Sequence, residues 1–379
     1  MNKQPGDYLY HNGIARRFKQ GAWGIMRVLP KGSADLQPLP NYTKPSGTYV
    51  QPAVTGLRPP VATTPGNPCP AGALNKTFAI SAVDVPDSMQ GTSGSHGTGT
   101  NVTGAITAAY VMTSNAAAAK SKGVKDPLVV HINAGDCVTV NFTNQRAVDR
   151  ASLSVGELTK SGGSSGVNVG FDPEQTVLPG KSRVYKFYAE TSSIEAAQFS
   201  DFGGDATGKI GLYGAFVVHE RGAWFTDSVT GARTITGVAV DAHVPGQRGY
   251  RDDTLFLQDN DPQIGSDFMP YPLKVDGLTV VNYKNAGRRT DDFSGAVATP
   301  LLKAYVSDPI RIHVLSTPGS EQPHVFRAGG LSWLRDPYMP RSQEVAEQGL
   351  SPYQGIDVHI IDGAGGRAGQ TGDFFYGDN

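Results

Sequence analysis

Histidine and cysteine are the side chains through which this chain could bind a metal ion or carry out acid-base and nucleophilic chemistry. A metal site encoded by a local motif needs several such residues within a few positions of one another. No two of the eight histidines lie within four residues of each other. They are His11, His96, His131, His219, His243, His313, His324 and His359. The spacing therefore predicts neither a zinc motif nor a catalytic histidine pair.

Other short catalytic motifs are also missing from the sequence. No Gly-x-Ser-x-Gly nucleophile elbow occurs. The glycine-rich stretches 162–166 and 363–369 do not lie between a strand and a helix, as a nucleotide-binding loop requires. We therefore predict no catalytic residue in this chain.

The two cysteines, Cys69 and Cys137, are too isolated in the sequence to form a zinc site. We favour a disulfide that joins the start of the middle domain to the strand containing Cys137. Such a bond implies an oxidising compartment. Two buried thiols are the alternative that the spacing leaves open.

The stretch 130–144 (VHINAGDCVTVNFTN) predicts the strand around which the chain is arranged. Polar and apolar residues alternate from Val138 to Phe142, which is the period of a half-buried strand. The preceding 133–136 (NAGD) has the composition of a turn. We interpret this strand as one edge of a β-sandwich.

A second strand is predicted after the turn at Pro179 and Gly180. Its sequence, KSRVYKFY, mixes apolar and basic residues, so one face is expected to be buried and the other to meet solvent. The predicted core residues are Val184, Phe187 and Tyr188, and the predicted solvent-facing residues are Lys181, Arg183 and Lys186.

Composition favours an all-β protein. The 379 residues include 47 glycines and 26 prolines, which suits many short strands joined by turns. The formal net charge of -1, with both signs interspersed, argues against nucleic acid or an anionic membrane as a partner. No apolar run approaches the roughly 18 to 20 residues of a spanning helix, and the N-terminus has no segment of the signal-peptide type.

Internal repeats divide the chain. The segment 21–28 (GAWGIMRV) recurs as 211–218 (GLYGAFVV), the pattern of 130–144 recurs at 300–315, and 372–379 (GDFFYGDN) matches 6–12 (GDYLYHN). We therefore divide the chain into closing strands of one domain at 1–30, a proline-rich linker at 31–68, a complete domain at 69–222 and a last domain at 234–379. The last domain is expected to lack its closing strand.

The order of these strands resembles the cupredoxin domain of multicopper oxidases, especially the large hephaestin-like and manganese-oxidase-like members. The resemblance covers most of residues 69–379 and includes the TVLPG strand at 176–180. It implies an all-β fold of tandem cupredoxin-like Greek-key β-sandwiches. In that family a cysteine in a CPAG segment often accompanies one in a GDC strand, which favours the disulfide between Cys69 and Cys137.

The resemblance does not extend to the copper ligands of the closing segment. In the family this segment reads His-Cys-His, followed by a further His and a Met, which suits a type 1 copper. Here His11 is kept, but Asn12 stands in the place of the cysteine. Gly13 and Arg17 replace the other histidines, and Ala22 replaces the methionine.

The remaining ligand segments of the family are altered in the same way. They correspond here to 324–331 (HVFRAGGL), 149–155 (DRASLSV) and 199–202 (FSDF). His11 and His324 are the only candidates left for a metal, and we expect no bound copper. The residues found at the other ligand positions are Arg327, Gly329, Leu331, Asp149, Ser154 and Ser200.

These observations favour a non-catalytic, copper-free structural protein whose partners are copies of itself. Segment 21–28 is the expected donor of the strand that the last domain lacks, giving a head-to-tail ring or filament. Docking of this segment within its own chain, giving a monomer, is one alternative. The expected location is extracellular or at the cell surface, with the periplasm as a further option. The predicted assembly residues are Gly21, Trp23, Ile25, Val28, Phe374 and Tyr376.

A second hypothesis keeps the chemistry of the family. In it, the chain is one part of a multicopper oxidase that oxidises metal ions or small reductants, with copper ligands on residues outside this sequence. Copper is a cofactor only under this alternative. A metal analysis of the purified protein separates the two hypotheses.

Overall fold

A computed structural model describes residues 5–51, 64–86, 90–91, 106–204, 208, 210–259, 280–285, 299–320 and 322–378. Strands account for 41% of the structure and helices for 7%, and the strands form several sheets. The predicted all-β fold is therefore confirmed. The sequence also predicts a loop at 91–104 (GTSGSHGTGTNVTG) and a strand at 278–283 (LTVVNY), of which 92–104 and 278–279 lie outside the described residues.

The N-terminal strands form a hairpin of their own. Strands β1 (Gly6–His11) and β2 (Trp23–Val28) pair antiparallel, with Gly6 opposite Val28 and His11 opposite Trp23. The short helix α1 (Ala15–Lys19) connects them. Within the described residues, this two-stranded sheet pairs with no other strand. After it, 33–47 form neither helix nor strand, as expected for the proline-rich linker.

The middle of the chain folds into two sheets that enclose one core. The first has the order β5-β3-β7-β10-β9, and the second has the order β6-β12-β11-β8. Between them lies a buried apolar cluster that includes Val140, Phe142 and Phe216. The elements are β3 (Leu74–Asp84), β4 (Gln90–Gly91), β5 (Ala108–Met112), α2 (Ala116–Lys122), β6 (Leu128–Asn133), β7 (Asp136–Asn144), β8 (Ser154–Val155), β9 (Thr159–Lys160), β10 (Ser182–Tyr188), β11 (Ala196–Ser200) and β12 (Tyr213–His219).

The strand of 130–144 is placed differently from its prediction in one respect. The turn residue Gly135, with φ of 90°, separates β6 from β7 as expected. However, β7 lies between β3 and β10, so it is an interior strand of its sheet and not an edge. The alternation of side chains reports which face is buried, and it carries no information about the number of paired neighbours.

Strand β10 faces the core with a different set of residues from the predicted one. Tyr185 and Phe187 are fully buried, whereas Val184 is 40% exposed. Arg183 is also buried, and its guanidinium donates to the carbonyl oxygens of Glu174 and Gly163. The prediction was correct for buried Phe187 and exposed Lys181 and wrong for Val184 and Arg183. Val184 and Phe187 are three positions apart, so they cannot share one face of a strand.

The last part of the chain contributes most strands of three further sheets among the described residues, and β4 joins the largest of these. In a nine-stranded sheet, five strands are neighbours in the order β13-β15-β16-β19-β24. A three-stranded sheet has the order β23-β20-β25. Trp333, Phe326 and Val314 form the core between them. The strands are β13 (Trp224–Asp227), β14 (Arg233–Thr234), β15 (Ala239–His243), β16 (Tyr250–Gln258), β17 (Val280–Val281), β18 (Lys284–Asn285), β19 (Ile310–Ser316), β20 (His324–Ala328), β21 (Trp333–Leu334), β22 (Glu344–Val345), β23 (Glu347–Leu350), β24 (Gly355–His359) and β25 (Tyr376–Asp378).

The two halves pack directly on each other through the sheet that contains β12. Tyr213, Ala215 and Val217 on its outer face join a buried cluster with Phe256 and Leu315 of the last part. Every residue of β12 is therefore buried, on both faces of the sheet. This interface also brings together the polar residues described below.

The expected disulfide is present. Cys69 and Cys137 are bonded, with their Cα atoms 5.7 Å apart, so the alternative of two free thiols is wrong. The bond links the start of the middle part to strand β7. In the loop-entropy account, closing a loop of this size stabilises the folded state by roughly 4 kcal/mol.

Candidate functional site

The closing strand of the middle part, β12, shows what a completed sheet looks like in this protein. It lies between β6, which it pairs with in parallel, and β11, which it pairs with antiparallel. Gly214 of β12 packs so tightly that an added Cβ would lie 2.4 Å from the carbonyl oxygen of Leu128 and from the ring of Phe199. The central strand is thus held on both sides, and its glycine is needed for the close approach.

The last part has counterparts for β6 and β11 but, among the described residues, no strand between them. Strand β25 pairs with β20 as β11 pairs with β8. Segment 300–306, which precedes β19 as β6 precedes β7, forms no strand. Most of its side chains are solvent-exposed, to 66% for Leu301 and 78% for Tyr305, whereas Leu302 packs against the core. We call the free edge of β25 together with segment 300–306 the slot.

The hydroxyl of Tyr376 connects the two sides of the slot. The hydroxyl of Tyr376 donates a hydrogen bond to the carbonyl oxygen of Pro300. In the repeat, Tyr376 corresponds to Phe199, and Pro300 corresponds to Leu128. The Tyr376 side chain thus connects directly the two positions that are separated by Gly214 in the middle part.

The N-terminal hairpin repeats the register of β11 and β12. Tyr10 is paired with Gly24 as Phe199 is paired with Gly214. An added Cβ at Gly24 would lie 2.2 Å from the Tyr10 hydroxyl, so this glycine is also covered by an aromatic ring. Segment 21–28 therefore has both the sequence and the local geometry of a closing strand.

Strand β2 exposes apolar side chains that its counterpart β12 buries. Trp23, Ile25, Met26 and Val28 are all exposed, Met26 to 57% and Trp23 to 51%. Met26 corresponds to Phe216, a residue of the middle core, yet the sequence analysis did not single it out. The repeat carries the signal for it, since Met26 and Phe216 are 190 positions apart.

The other predicted assembly residues lie beside β2 or near the slot. Gly21 has φ of 95°, in the left-handed region that favours glycine, and it forms the turn before β2. Tyr376 is half-buried at the slot. Phe374 is half-buried beside Gly330, where its ring lies 3.8 Å from a Cβ placed on that glycine. The structure does not bring β2 and the slot together within one chain.

The hairpin is attached to its own middle part by a buried carboxylate. Asp7 forms a two-point ion pair with Arg27, at 2.6 and 2.8 Å, and accepts a hydrogen bond from the backbone N–H of Phe171. The backbone N–H of Asp7 donates to Asp172, and the Arg27 guanidinium stacks 4.3 Å from the centre of the Phe171 ring. Burial favours the protonated acid, yet these hydrogen bonds lower the pKa of Asp7.

His11, Asn12 and Ser200, which the resemblance aligns with copper-ligand positions of the family, belong to one group of contacts. The His11 ring packs against Phe18, Phe202 and Tyr353, and its Nδ1 contacts the backbone oxygen of Asn12. Ser200 shares a hydrogen bond with the hydroxyl of Tyr353. This site offers aromatic rings and hydroxyls around one imidazole. Its donor set does not fit a type 1 copper, which needs a thiolate.

The second copper candidate, His324, is held by carboxylates instead of facing other histidines. Its Nδ1 lies 2.7 Å from Asp378, and its Nε2 lies 3.6 Å from Asp259. Arg327, on the same strand, is exposed. His324 therefore connects β20 to β25, and no second imidazole lies among the contacts it makes in the described structure.

A cluster that the sequence did not predict lies at the interface of the two halves. The Nδ1 atom of His131 and the Nε2 atom of His219 are 2.9 Å apart, although the residues are 88 positions apart in the chain. Asp252, from β16, places a carboxylate oxygen within 4.8 Å of ring nitrogens of both. All three side chains are buried. Only the packing of β6, β12 and β16 brings them together, so spacing in the sequence gave no signal.

The cluster continues through His313 to a second group of polar residues. His313 Nε2 lies 3.1 Å from Asp252, and its Nδ1 lies 2.7 Å from Asp357. Although burial disfavours the imidazolium, the two carboxylates raise the pKa of His313. Glu195 lies within 4.8 Å of the His313 and Asp357 ligand atoms and accepts a hydrogen bond from His359. Glu195 has φ of 46°, a strained conformation at this buried junction.

Comparisons with known proteins agree with this architecture. No protein-family model matches the sequence, and no curated protein matches it. Among solved structures, the multicopper oxidase mgLAC is similar with a TM-score of 0.51 and 15% identity over 80% of this chain and 79% of that one. A blue copper oxidase from Nitrosomonas europaea is similar with a TM-score of 0.50, 15% identity and the same coverage.

These similarities concern the fold, since sequence identity is low. They agree with the paired β-sandwiches found here. None of the described helices has the length and apolar character needed to span a membrane. The chain has the cupredoxin-like β-sandwich fold of multicopper oxidases.

Proposed function

We propose that this protein is a non-catalytic structural protein that assembles head to tail, with strand β2 of one copy entering the slot of the next. The observation that carries the proposal is the repeated geometry around Gly214. In the middle part, Gly214 lies between the ring of Phe199 and the carbonyl of Leu128. In the slot, the hydroxyl of Tyr376 donates a hydrogen bond to the carbonyl oxygen of Pro300. Gly24, with the same register on β2, has the shape to fill that place.

The repeat fixes the register of the proposed contact. One edge of β2 is paired with β1 in its own chain, so the proposal requires β1 to be exchanged for β25 when the strand is donated. Gly24 then pairs with Tyr376 of the next copy, and β2 runs antiparallel to β25 and parallel to segment 300–306. Met26 and Val28 then turn toward the core of the completed sandwich, as Phe216 and Val218 do in the middle part. Complete burial of such side chains contributes about 1.5–3 kcal/mol each, and the new strand pairs backbone groups along the edge.

The attachment of the hairpin gives the contact its direction. Asp7 and Arg27 hold the hairpin to the middle part of its own chain, so β2 and the slot are different surfaces on one molecule. Contacts between two different surfaces close into rings or extend as filaments. We propose a filament outside the cell or at its surface, where the Cys69–Cys137 bond is stable.

We propose that the protein is non-catalytic because the residues at the family's copper-ligand positions are poor ligands for copper. An amide at Asn12, a hydroxyl at Ser200 and a guanidinium at Arg327 are poor ligands for the copper ions of the family. In the competing hypothesis, the chain is one part of a multicopper oxidase whose copper ligands lie on residues outside this sequence. A copper content of several ions per chain favours that alternative over the structural protein.

The proposal is tested by introducing a charge on β2. We expect the intact protein to sediment as multiples of one chain, and Met26→Asp to sediment as a monomer, because the substitution places a carboxylate in the completed core. Removal of residues 1–28 should also give monomers. Val229→Asp, at a side chain that is 91% exposed, is the matched control and should assemble normally. A monomeric intact protein at all concentrations, or normal assembly of Met26→Asp, contradicts the proposal.

A further inference from the structure

The nature of the contact between His131 and His219 depends on which of their ring nitrogens carry a proton. Their facing nitrogens, Nδ1 of His131 and Nε2 of His219, are 2.9 Å apart. Two neutral nitrogens at this distance need either a hydrogen or a metal ion between them, because two lone pairs repel each other. The hydrogen-bond partners of the outer nitrogens decide which atoms carry the protons.

The outer nitrogen of His131 is a donor. Its Nε2 lies 2.9 Å from the backbone carbonyl oxygen of Gly237, which can only accept. In the neutral ring the proton is therefore on Nε2. The Nδ1 atom, which faces His219, carries a lone pair.

The outer nitrogen of His219 is also a donor, through a chain of three groups. Arg311 donates to Glu220 at 2.6 Å, and despite burial it lowers the pKa of that acid, so Glu220 is a carboxylate. The hydroxyl of Tyr250, 2.8 Å from Glu220, therefore donates to it. The Tyr250 oxygen then accepts from Nδ1 of His219, also at 2.8 Å. The inward Nε2 of His219 is left with a lone pair.

We infer that His131, His219 and Asp252 form a binding site for a divalent transition-metal ion of the zinc type. Two imidazoles and one carboxylate are a donor set that zinc uses. The outer nitrogen of each ring is fixed by a carbonyl or a hydroxyl, as is usual for histidines that bind metals. The Asp252 Oδ1 atom is buried and has no hydrogen-bond partner within the described structure, which leaves it available as a ligand.

A proton is the rival occupant of the space between the two rings. It would create an imidazolium deep in the interface, although the carboxylate of Asp252 lies nearby. Burial of all three side chains opposes such a charge. A metal ion instead uses the lone pairs of two neutral rings.

The position of the site allows an ion to connect the two halves. His131 also lines a cavity of about 630 Å³, together with Phe225 and Trp224, so one ligand of the site borders a cavity. His131 and His219 belong to the middle part, whereas Asp252 belongs to the last part. A bound ion would tie the two halves together. This inference is independent of the proposed assembly, because β2 and the slot lie on other elements.

Zinc titration of the full chain after treatment with a chelator tests the site. We expect calorimetry to give one zinc ion per chain, and saturating zinc to raise the midpoint of thermal unfolding by several degrees. Cobalt should bind in the same place and give the visible absorption of a tetrahedral ion. The cobalt measurement uses the unmodified protein, so it does not depend on the folding of any variant.

Two substitutions assign the ligands. His131→Gln and Asp252→Asn should each lower the zinc affinity at least tenfold, whereas His243→Gln, which alters a histidine stacked on Trp224, should leave it unchanged. Circular dichroism checks that each variant is folded. The inference is overturned if the unmodified protein takes up neither zinc nor cobalt. It is also overturned if folded His131→Gln and Asp252→Asn bind zinc as the unmodified protein does.

Discussion

The hydroxyl of Tyr376 donates a hydrogen bond to the carbonyl oxygen of Pro300, across the space where the repeat places the glycine of a closing strand. In the middle part, Phe199 and Leu128 occupy the same two positions, and Gly214 lies between them. The bond therefore holds the two sides of the slot together when no strand is present. A strand that enters must replace it.

The first prediction concerns this bond. Tyr376→Phe keeps the ring but removes the hydroxyl, so the empty slot loses about 1 kcal/mol of stabilisation while the filled slot loses little. We expect assembly to begin at a roughly fivefold lower protein concentration in sedimentation experiments. Tyr42→Phe, at an exposed linker tyrosine, is the control. Assembly that is weaker in Tyr376→Phe than in the control would show that the bond does not guard the slot.

The second prediction fixes the register between copies. If Gly24 of one chain pairs with Tyr376 of the next, then Ile25 pairs with Phe375. Paired positions on antiparallel strands lie within the Cα distance that a disulfide requires. The double variant Ile25→Cys with Phe375→Cys should give a ladder of covalent multimers on a non-reducing gel.

The native cysteines do not complicate this experiment, because Cys69 and Cys137 are already bonded to each other. A control pair, Ile25→Cys with Thr371→Cys, is displaced by four residues from the expected partner and should give few cross-links. Equal ladders from both pairs would argue against a defined strand register.

The third prediction concerns copper. The purified protein should contain no type 1 copper and show no blue absorption, since Asn12 cannot supply the thiolate that such a site needs. Elemental analysis and visible spectroscopy check this after incubation with copper. Copper coordinated by His11 or His324 would contradict it and would favour the oxidase alternative. Binding at the His131 site is distinguished by its loss in His131→Gln.

The fourth prediction concerns Asp172, a buried acid beside the N-terminal hairpin. Burial, with a smaller contribution from the charge of Asp7, raises the pKa of Asp172 to about 6. An acid with a raised pKa in the folded state stabilises it below the unfolded pKa, near 3.8, and this contribution is lost as the pH rises through 6. Attachment of the hairpin should therefore weaken between pH 4 and 7.

Asp172→Asn removes this titration and keeps an oxygen that accepts from the backbone N–H of Asp7. We expect it to stabilise the hairpin at pH 7 by on the order of 1–3 kcal/mol and to flatten the pH dependence. Hydrogen exchange at the backbone of Tyr8 and Phe171 measures the effect. Asp362→Asn, at an exposed acid, is the control. An Asp172→Asn hairpin that is less protected at pH 7 than the unmodified one would contradict the account.

The sequence alone determined those features that depend on local pattern or on repetition. The alternation in 136–144 predicts β7, the turn at Gly135 separates β6 from β7, and the repeated segment at 21–28 predicts β2. Cys69 and Cys137 were correctly expected to be bonded. Period and turn chemistry are properties of neighbouring residues, which is why the fold class could be predicted.

The tertiary structure decided the features that depend on which faces meet. It made β7 an interior strand, and it buried Arg183 on carbonyl oxygens supplied by a distant loop. It also placed His131, His219 and Asp252 together from three strands spread over 122 positions, because β12 is buried on both faces. Contacts of this kind arise only when sheets pack, and no spacing along the chain records them.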